Sequence, residues 1–100
     1  KNIWIEAELW NAGEWNPQND NSDVIVTFSN GDRYCATFFT YSNISKLVEK
    51  NKKTGECLNG KYFWASDMIL IDNCSRIDIE QVIYGLIKND EFESIFKRIE

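Results

Sequence analysis

The sequence predicts an α+β fold in which a mainly antiparallel, four-stranded sheet carries helices packed on one face. Three observations lead to this class. The first residues alternate apolar and polar side chains, an Asn-Gly pair separates two β-rich segments, and apolar residues recur at helical spacing in the last third. The predicted order is β-β-β-α-β-α-α in a single domain over residues 1–100, a length that fits one hydrophobic core.

The first predicted strand has an apolar face directed at the core and a second face of tryptophans and carboxylates. The residues assigned to the core face are Ile3, Ile5, Ala7 and Leu9. The residues assigned to the second face are Trp4, Glu6, Glu8 and Trp10. Polar residues with glycine and proline then predict a long loop over residues 11–22.

A β-hairpin is the strongest structural signal in the chain. Residues 23–28 are β-branched and apolar, and residues 33–40 return as the partner strand. Asn30-Gly31 lies between the two segments. This pair favours a type I′ turn, in which both central residues have positive φ.

The next two elements are a helix and a strand. Residues 41–43 offer a cap for a helix whose apolar stripe ends at Asn51. An apolar run over residues 62–71 is interrupted by Ser66-Asp67. This run predicts either one long strand with a bulge or two short strands that meet at a bend.

Two helices complete the predicted fold. Ser75 or Asp78 caps a helix with an apolar stripe that ends at Asn89. Asp90 and Glu93 have the spacing of a capping box, which predicts the start of a last short helix.

Composition and charge narrow the function classes. The chain has 16 acidic residues, 11 basic residues and no histidine, for a net charge of −5. The commonest general base and metal ligand is therefore missing, and an acidic surface repels nucleic acids and anionic membranes. We expect a protein that is not an enzyme, that has no cofactor or metal, and that contacts neither nucleic acid nor membrane directly.

The cysteines indicate a reducing compartment. Cys35, Cys57 and Cys74 form no C-x-x-C pair, and their number is odd. Cys35 also lies within an apolar strand pattern, where a small buried hydrophobe is expected. We therefore predict three reduced thiols and a cytoplasmic location.

A partner-binding surface is predicted at the N-terminal strand and the loop after it. Tryptophans are costly to leave in water on a polar strand face, and they are enriched among interface hot spots. The predicted contact residues are Trp10, Glu14, Trp15 and Asp20, supported by Glu6 and Glu8.

Other interpretations of these residues stay open at this stage. A helix that covers the second face of the first strand would make Trp10 and Trp15 part of the core. Glu6 and Glu8 could form a solvated face or an acid–base pair. Paired catalytic carboxylates usually come from separate elements, which disfavours the acid–base interpretation.

Three segments resemble a known class of small proteins. They are Glu14-Trp15-Asn16-Pro17 leading to residues 23–31, then residues 54–58, and then residues 60–68. Together they resemble bacterial immunity-type proteins, which are encoded beside secreted toxins in contact-dependent inhibition and related polymorphic toxin systems. The resemblance implies a tight one-to-one complex that blocks a cognate toxin, often a nuclease. It assigns no site residues.

Two other function classes remain. One is a small ligand-binding domain or enzyme with an aromatic-lined pocket near the Trp15 loop. The other is a structural subunit that forms dimers through the edge of its sheet.

Overall fold

The computed structural model describes residues 1–11 and 13–99, and it confirms the predicted α+β class. The five strands are β1 (Asn2–Ile5), β2 (Asn21–Thr27), β3 (Arg33–Thr40), β4 (Met68–Ile71) and β5 (Lys97–Arg98). The helices are α1 (Tyr41–Thr54), α2 (Glu56–Gly60), α3 (Arg76–Lys88) and α4 (Phe92–Ile95), with a 3-10 helix over Glu6–Leu9.

The sheet has the order β1-β2-β3-β4, and β5 pairs with the first half of β3 on the same side as β4. The β1–β2, β2–β3 and β3–β5 pairings are antiparallel, and the β3–β4 pairing is parallel. The mainly antiparallel sheet is therefore confirmed. The two-residue β5 was not predicted, because so short a segment has no periodic pattern.

Helices α3 and α4 cover one face of the sheet, as predicted. Alternate residues of β2 and β3 are buried against them, including Val24, Val26, Ala36 and Phe38. The helices contribute Ile79, Ile83, Phe92 and Phe96 to the same cluster. Since side chains alternate along a strand, the other face of β1, β2 and β3 points away from this core. We call it the open face.

The first predicted strand is too long. β1 ends at Ile5, and the chain continues as a 3-10 helix because the backbone N–H of Ala7 donates to Oγ of Ser22 at 3.0 Å. Ala7 stays buried, but Leu9 is 71% exposed and does not reach the core. Trp10 instead packs against the core. The two tryptophans assigned to one strand face therefore do not share it.

The hairpin is confirmed, but its turn type was predicted incorrectly. Phe28 donates to Asp32 and Gly31 donates to Phe28, each at 2.9 Å, which leaves a three-residue loop. Gly31 has a φ of +93°, whereas the φ of Asn30 is not positive. The Asn30 side chain accepts a hydrogen bond from the backbone N–H of Asp32 at 3.0 Å, so a loop with glycine in the left-handed position replaces the type I′ turn.

Helix α1 is longer than predicted at both ends. Thr40 caps it by accepting a hydrogen bond from the backbone N–H of Asn43 at 3.0 Å, and Gly55 terminates it in the left-handed conformation. The following α2 is a left-handed turn, since Cys57, Leu58 and Asn59 all have positive φ. Such a turn costs about 1–2 kcal/mol per residue for side chains other than glycine.

The remaining boundaries are partly as predicted. Ser75 caps α3, and Asn89 follows its last residue. Only Met68–Ile71 of the apolar run forms a strand, because Asp67 has a φ of +52° and bends the chain. The capping box is wrong: Asp90 is left-handed, and Glu93 accepts a hydrogen bond from the Tyr34 hydroxyl at 3.2 Å.

Candidate protein-binding surface

The structure places Trp10 and Trp15 against the hydrophobic core, where both are partly buried. The indole N–H of Trp15 is buried without a hydrogen-bond acceptor. Burial raises the pKa of the nearby Cys74 thiol, and a smaller side-chain contribution from Trp15 opposes this shift. These tryptophans therefore have a packing role whether or not a partner also touches them.

The predicted carboxylates have intramolecular partners as well. Glu8 binds the Arg76 guanidinium through both oxygens, and Oε1 of Glu14 accepts from the backbone N–H of Asn11 at 2.8 Å. Asp20 accepts from the backbone N–H groups of Asn16 and Asn21, so it shapes the loop that precedes β2. Glu6 is half-buried in the 3-10 helix. Whether these groups also contact a partner stays a prediction.

The open face has an apolar row across three strands. Trp4 lies opposite Ile25, Ile25 lies opposite Cys35, and Cys35 lies opposite Lys97. Directly opposed residues point to the same face, so these side chains form one continuous row. Trp4 is 38% exposed, and Ile25 and Cys35 are half-buried.

The row forms part of a groove of about 480 Å³. Trp4, Ile25, Cys35, Asp23, Asp67 and Lys97 are among its lining residues. Oδ1 of Asp23 accepts a hydrogen bond from the Thr37 hydroxyl at 2.7 Å, which fixes one carboxylate at the groove. The groove therefore joins an apolar floor to a rim with two acids and one base.

Burial and the charged residues of the groove change the pKa of the Cys35 thiol. Burial is the main reason that the pKa of this thiol is raised, and the Asp67 carboxylate adds to the shift. Lys97 opposes it, and Asp23 raises the pKa further. The thiol is thus held in its neutral form, as expected for a residue that contributes apolar surface rather than a nucleophile.

A second pocket of about 270 Å³ lies beside the hairpin loop. Phe28, Tyr34 and Phe92, which pack edge to face, line it together with Asp32, Asp90 and Glu93. Burial raises the pKa of Tyr34, and its hydrogen bond to Glu93 adds to the shift. Neither of these two pockets is lined by Trp15, whose loop the alternative interpretation places beside an aromatic-lined pocket.

The sequence reasoning missed the open-face row because it assigned no faces to the hairpin strands. The strand pattern assigns Ile25 to no face and predicts a buried Cys35, which the structure shows as half-buried. The pairing register across the Asn30-Gly31 loop carries the necessary signal, because it sets Ile25 opposite Cys35 and both opposite the core face.

Among residues 1–11 and 13–99, no helix combines the length and the apolar character needed to cross a membrane. The same residues include no group of three or more histidine, cysteine or acidic side chains arranged to hold a metal ion. Comparison with protein-family models, curated proteins and solved structures gives no match.

Proposed function

We propose that this chain is an immunity-type binding protein that works in the cytoplasm and neutralises a cognate toxin domain by forming a tight complex over its active surface. The observation that carries the proposal is the apolar row on the open face, with Trp4 at its end. We propose Trp4 as the anchor of the contact.

The composition of the open face supports a protein partner. When one face of an antiparallel sheet packs on a core, the other face usually carries polar side chains. Here Trp4, Ile25 and Cys35 place an apolar row on that face, beside polar residues such as Asp23 and Thr37. Exposed apolar area costs about 25 cal/mol per Å², which is recovered when a partner covers it. A tryptophan in a groove is also the most common kind of interface hot spot.

The charge of the chain supports a basic partner. The net charge is −5, and Asp23 and Asp67 stand at the rim of the groove. A nuclease must present a basic surface to its substrate, so it is the toxin class that this acidity fits best. Glu6, Glu14 and Asp20 would add to long-range attraction and raise the association rate.

The state of the cysteines supports the proposed location. Cys35, Cys57 and Cys74 are all free thiols in the structure. Free thiols persist in a reducing cytoplasm, where a self-protecting cell needs to hold such an inhibitor.

The test is titration of the chain into the proposed cognate toxin domain, with toxin activity as the readout. We expect activity to fall to zero at a one-to-one ratio, and the association rate to decrease as salt rises. An unrelated basic nuclease serves as the control for attraction by charge alone. Full toxin activity in the presence of a large excess of the chain would overturn the proposal.

A further inference from the structure

The two edges of the sheet differ in how they are protected. At the β1 edge, Nη2 of Arg76 donates to the carbonyl oxygen of Ile3 at 2.9 Å. The guanidinium is held there by Glu8 and Glu80. A fixed charge over an edge strand prevents another strand from pairing with it. The β1 edge is therefore blocked.

The β4 edge has no such protection. The backbone N–H of Thr37 donates to the carbonyl of Asp67 at 3.0 Å, and Thr37 lies beside Met68 in the parallel register. This pattern turns the polar groups of Ile69 and Ile71 toward β3. The N–H and C=O groups of Met68 and Leu70 therefore point outward. No other residue within the described ranges forms a hydrogen bond with them.

The side chains of β4 do not protect its edge, whose one defence is the short length of four residues. The strand reads Met68-Ile69-Leu70-Ile71, with no charge and no proline. Leu70 is 44% exposed. Pairing with another strand would satisfy the outward backbone groups of this edge, which otherwise depend on water alone.

We propose that the β4 edge pairs with the β4 edge of a second copy of this chain. The two strands run antiparallel about a two-fold axis at Ile69, so that Met68 lies opposite Leu70 of the partner subunit. Both residues direct their N–H and C=O groups outward, so each such pair exchanges two backbone hydrogen bonds. The two sheets then join into one continuous sheet.

The two-fold register keeps the acids of the two copies apart. The chain has a net charge of −5, and two copies repel each other wherever their acids meet. The pairing segment is uncharged, and the two-fold register separates the flanking acids. Asp67 falls beside Ile71 of the partner subunit and Asp72 falls beside Ser66 of the partner subunit, so that no two carboxylates oppose each other.

This inference does not rest on the proposed toxin partner, since β4 lies outside the apolar row that contains Trp4. The two surfaces adjoin at Ser66 and Asp67, which line the groove. The contact is short, so we expect an association that depends on concentration rather than a permanent dimer.

Analytical ultracentrifugation from about 1 μM to about 1 mM tests the proposal on the unmodified chain. We expect the mass to rise from 11.7 kDa toward twice that value. Leu70→Pro removes one outward N–H and none of the inward ones, and Leu70→Lys places a charge at the edge. We expect either variant to weaken association at least about tenfold. Leu58→Lys, at a 70% exposed leucine on α2, is the matched control and should associate normally.

Three results would overturn the proposal. The chain could stay at 11.7 kDa over the whole range. It could form a dimer that Leu70→Lys leaves intact, which places the interface elsewhere. It could also form a dimer that Leu58→Lys weakens as much as Leu70→Lys does. Because Leu70→Lys keeps the backbone N–H, it remains informative even if Leu70→Pro fails to fold.

Discussion

The guanidinium of Arg76 binds both carboxylate oxygens of Glu8, with Nη2 2.7 Å from Oε1 and Nε 2.8 Å from Oε2. The two residues are 68 positions apart in the chain. Their contact joins the 3-10 helix after β1 to the first turn of α3, and the same guanidinium covers the β1 edge at Ile3. One arginine thus fixes the N-terminal segment and blocks an edge of the sheet.

The pH dependence of stability should reveal this ion pair. Hydrogen bonding to Arg76 is the main cause that lowers the pKa of Glu8. A lowered pKa in the folded state stabilises the protein above the ordinary glutamate value, and this benefit is lost as pH falls through the folded value. We expect Glu8→Gln to cost about 0.5–1 kcal/mol at neutral pH, since both side chains are partly exposed, and almost nothing in strong acid.

Urea unfolding of the wild type and the variant between neutral and acidic pH measures this difference. Glu91→Gln changes an exposed carboxylate that has no ion pair within the described chain, and it serves as the control. A stability difference for Glu8→Gln that stays constant down to strongly acidic pH would contradict the assigned role of the pair.

Trp15 should behave as a packing residue with an unsatisfied donor. Trp15→Ala removes a side chain that packs on the core, and we expect a loss of about 2–3 kcal/mol in the free energy of unfolding. Trp15→Phe also removes the unpaired indole N–H, so its cost should stay within about 1 kcal/mol. Thermal unfolding of both variants checks the order. Equal losses would mean that the aromatic ring at this position does not contribute packing against the core.

Gly60 should tolerate no larger residue. It has a φ of +78°, and an added Cβ would lie 2.7 Å from Cγ of Lys52 and 2.8 Å from the Val48 carbonyl oxygen. We expect Gly60→Ala to cost about 2 kcal/mol or more. Gly85→Ala is the control, because it meets open space within helix α3, and it should be neutral or stabilising by up to about 1 kcal/mol. Urea unfolding of both variants measures their midpoints. Similar midpoints would show that α2 shifts enough to accommodate the added methyl group at little cost.

The thiols should react in the order of their exposure. Cys74 is fully buried and Cys35 is half-buried, and burial raises the pKa of both. We expect alkylation to label Cys35 slowly, faster at higher pH, and to label Cys74 only after unfolding. Mass spectrometry of the alkylated, unreduced protein should find three thiols after unfolding. A mass consistent with a disulfide would refute the free-thiol state, and labelling of Cys74 before Cys35 would refute its burial.

Turn and cap residues in the sequence predict the bounds of some strands and helices correctly. The residue bounds of β3 follow from the Asn30-Gly31 loop and the β-branched segment before it, and the start of α3 follows from Ser75. The 3-10 helix at Glu6–Leu9 escapes detection, because Ile3, Ile5 and Ala7 are buried under either interpretation. Only the exposure of Leu9 separates the two.

Tertiary contacts determine the parts that could not be predicted. β5 exists because β3 offers it an edge, and the backbone N–H of Ile99 extends the pairing by donating to Arg33. The packing of two predicted contact residues also depends on tertiary contacts. Trp10 and Trp15 are both partly buried against the core, and contact of either with a partner stays a prediction. Trp4 stays on the open face because β1 ends only after it.

The affinity of Trp4→Ala for the cognate toxin domain tests the central claim most directly. Trp64→Ala is the matched control, because Trp64 is 68% exposed and does not line the groove. We expect Trp4→Ala to weaken binding about 30-fold or more, at a cost of less than about 1 kcal/mol in stability, and Trp64→Ala to leave affinity within about threefold. Equal affinities for the two variants, or a loss of stability in Trp4→Ala that accounts for its loss of binding, would contradict the assignment of the open face as the binding surface.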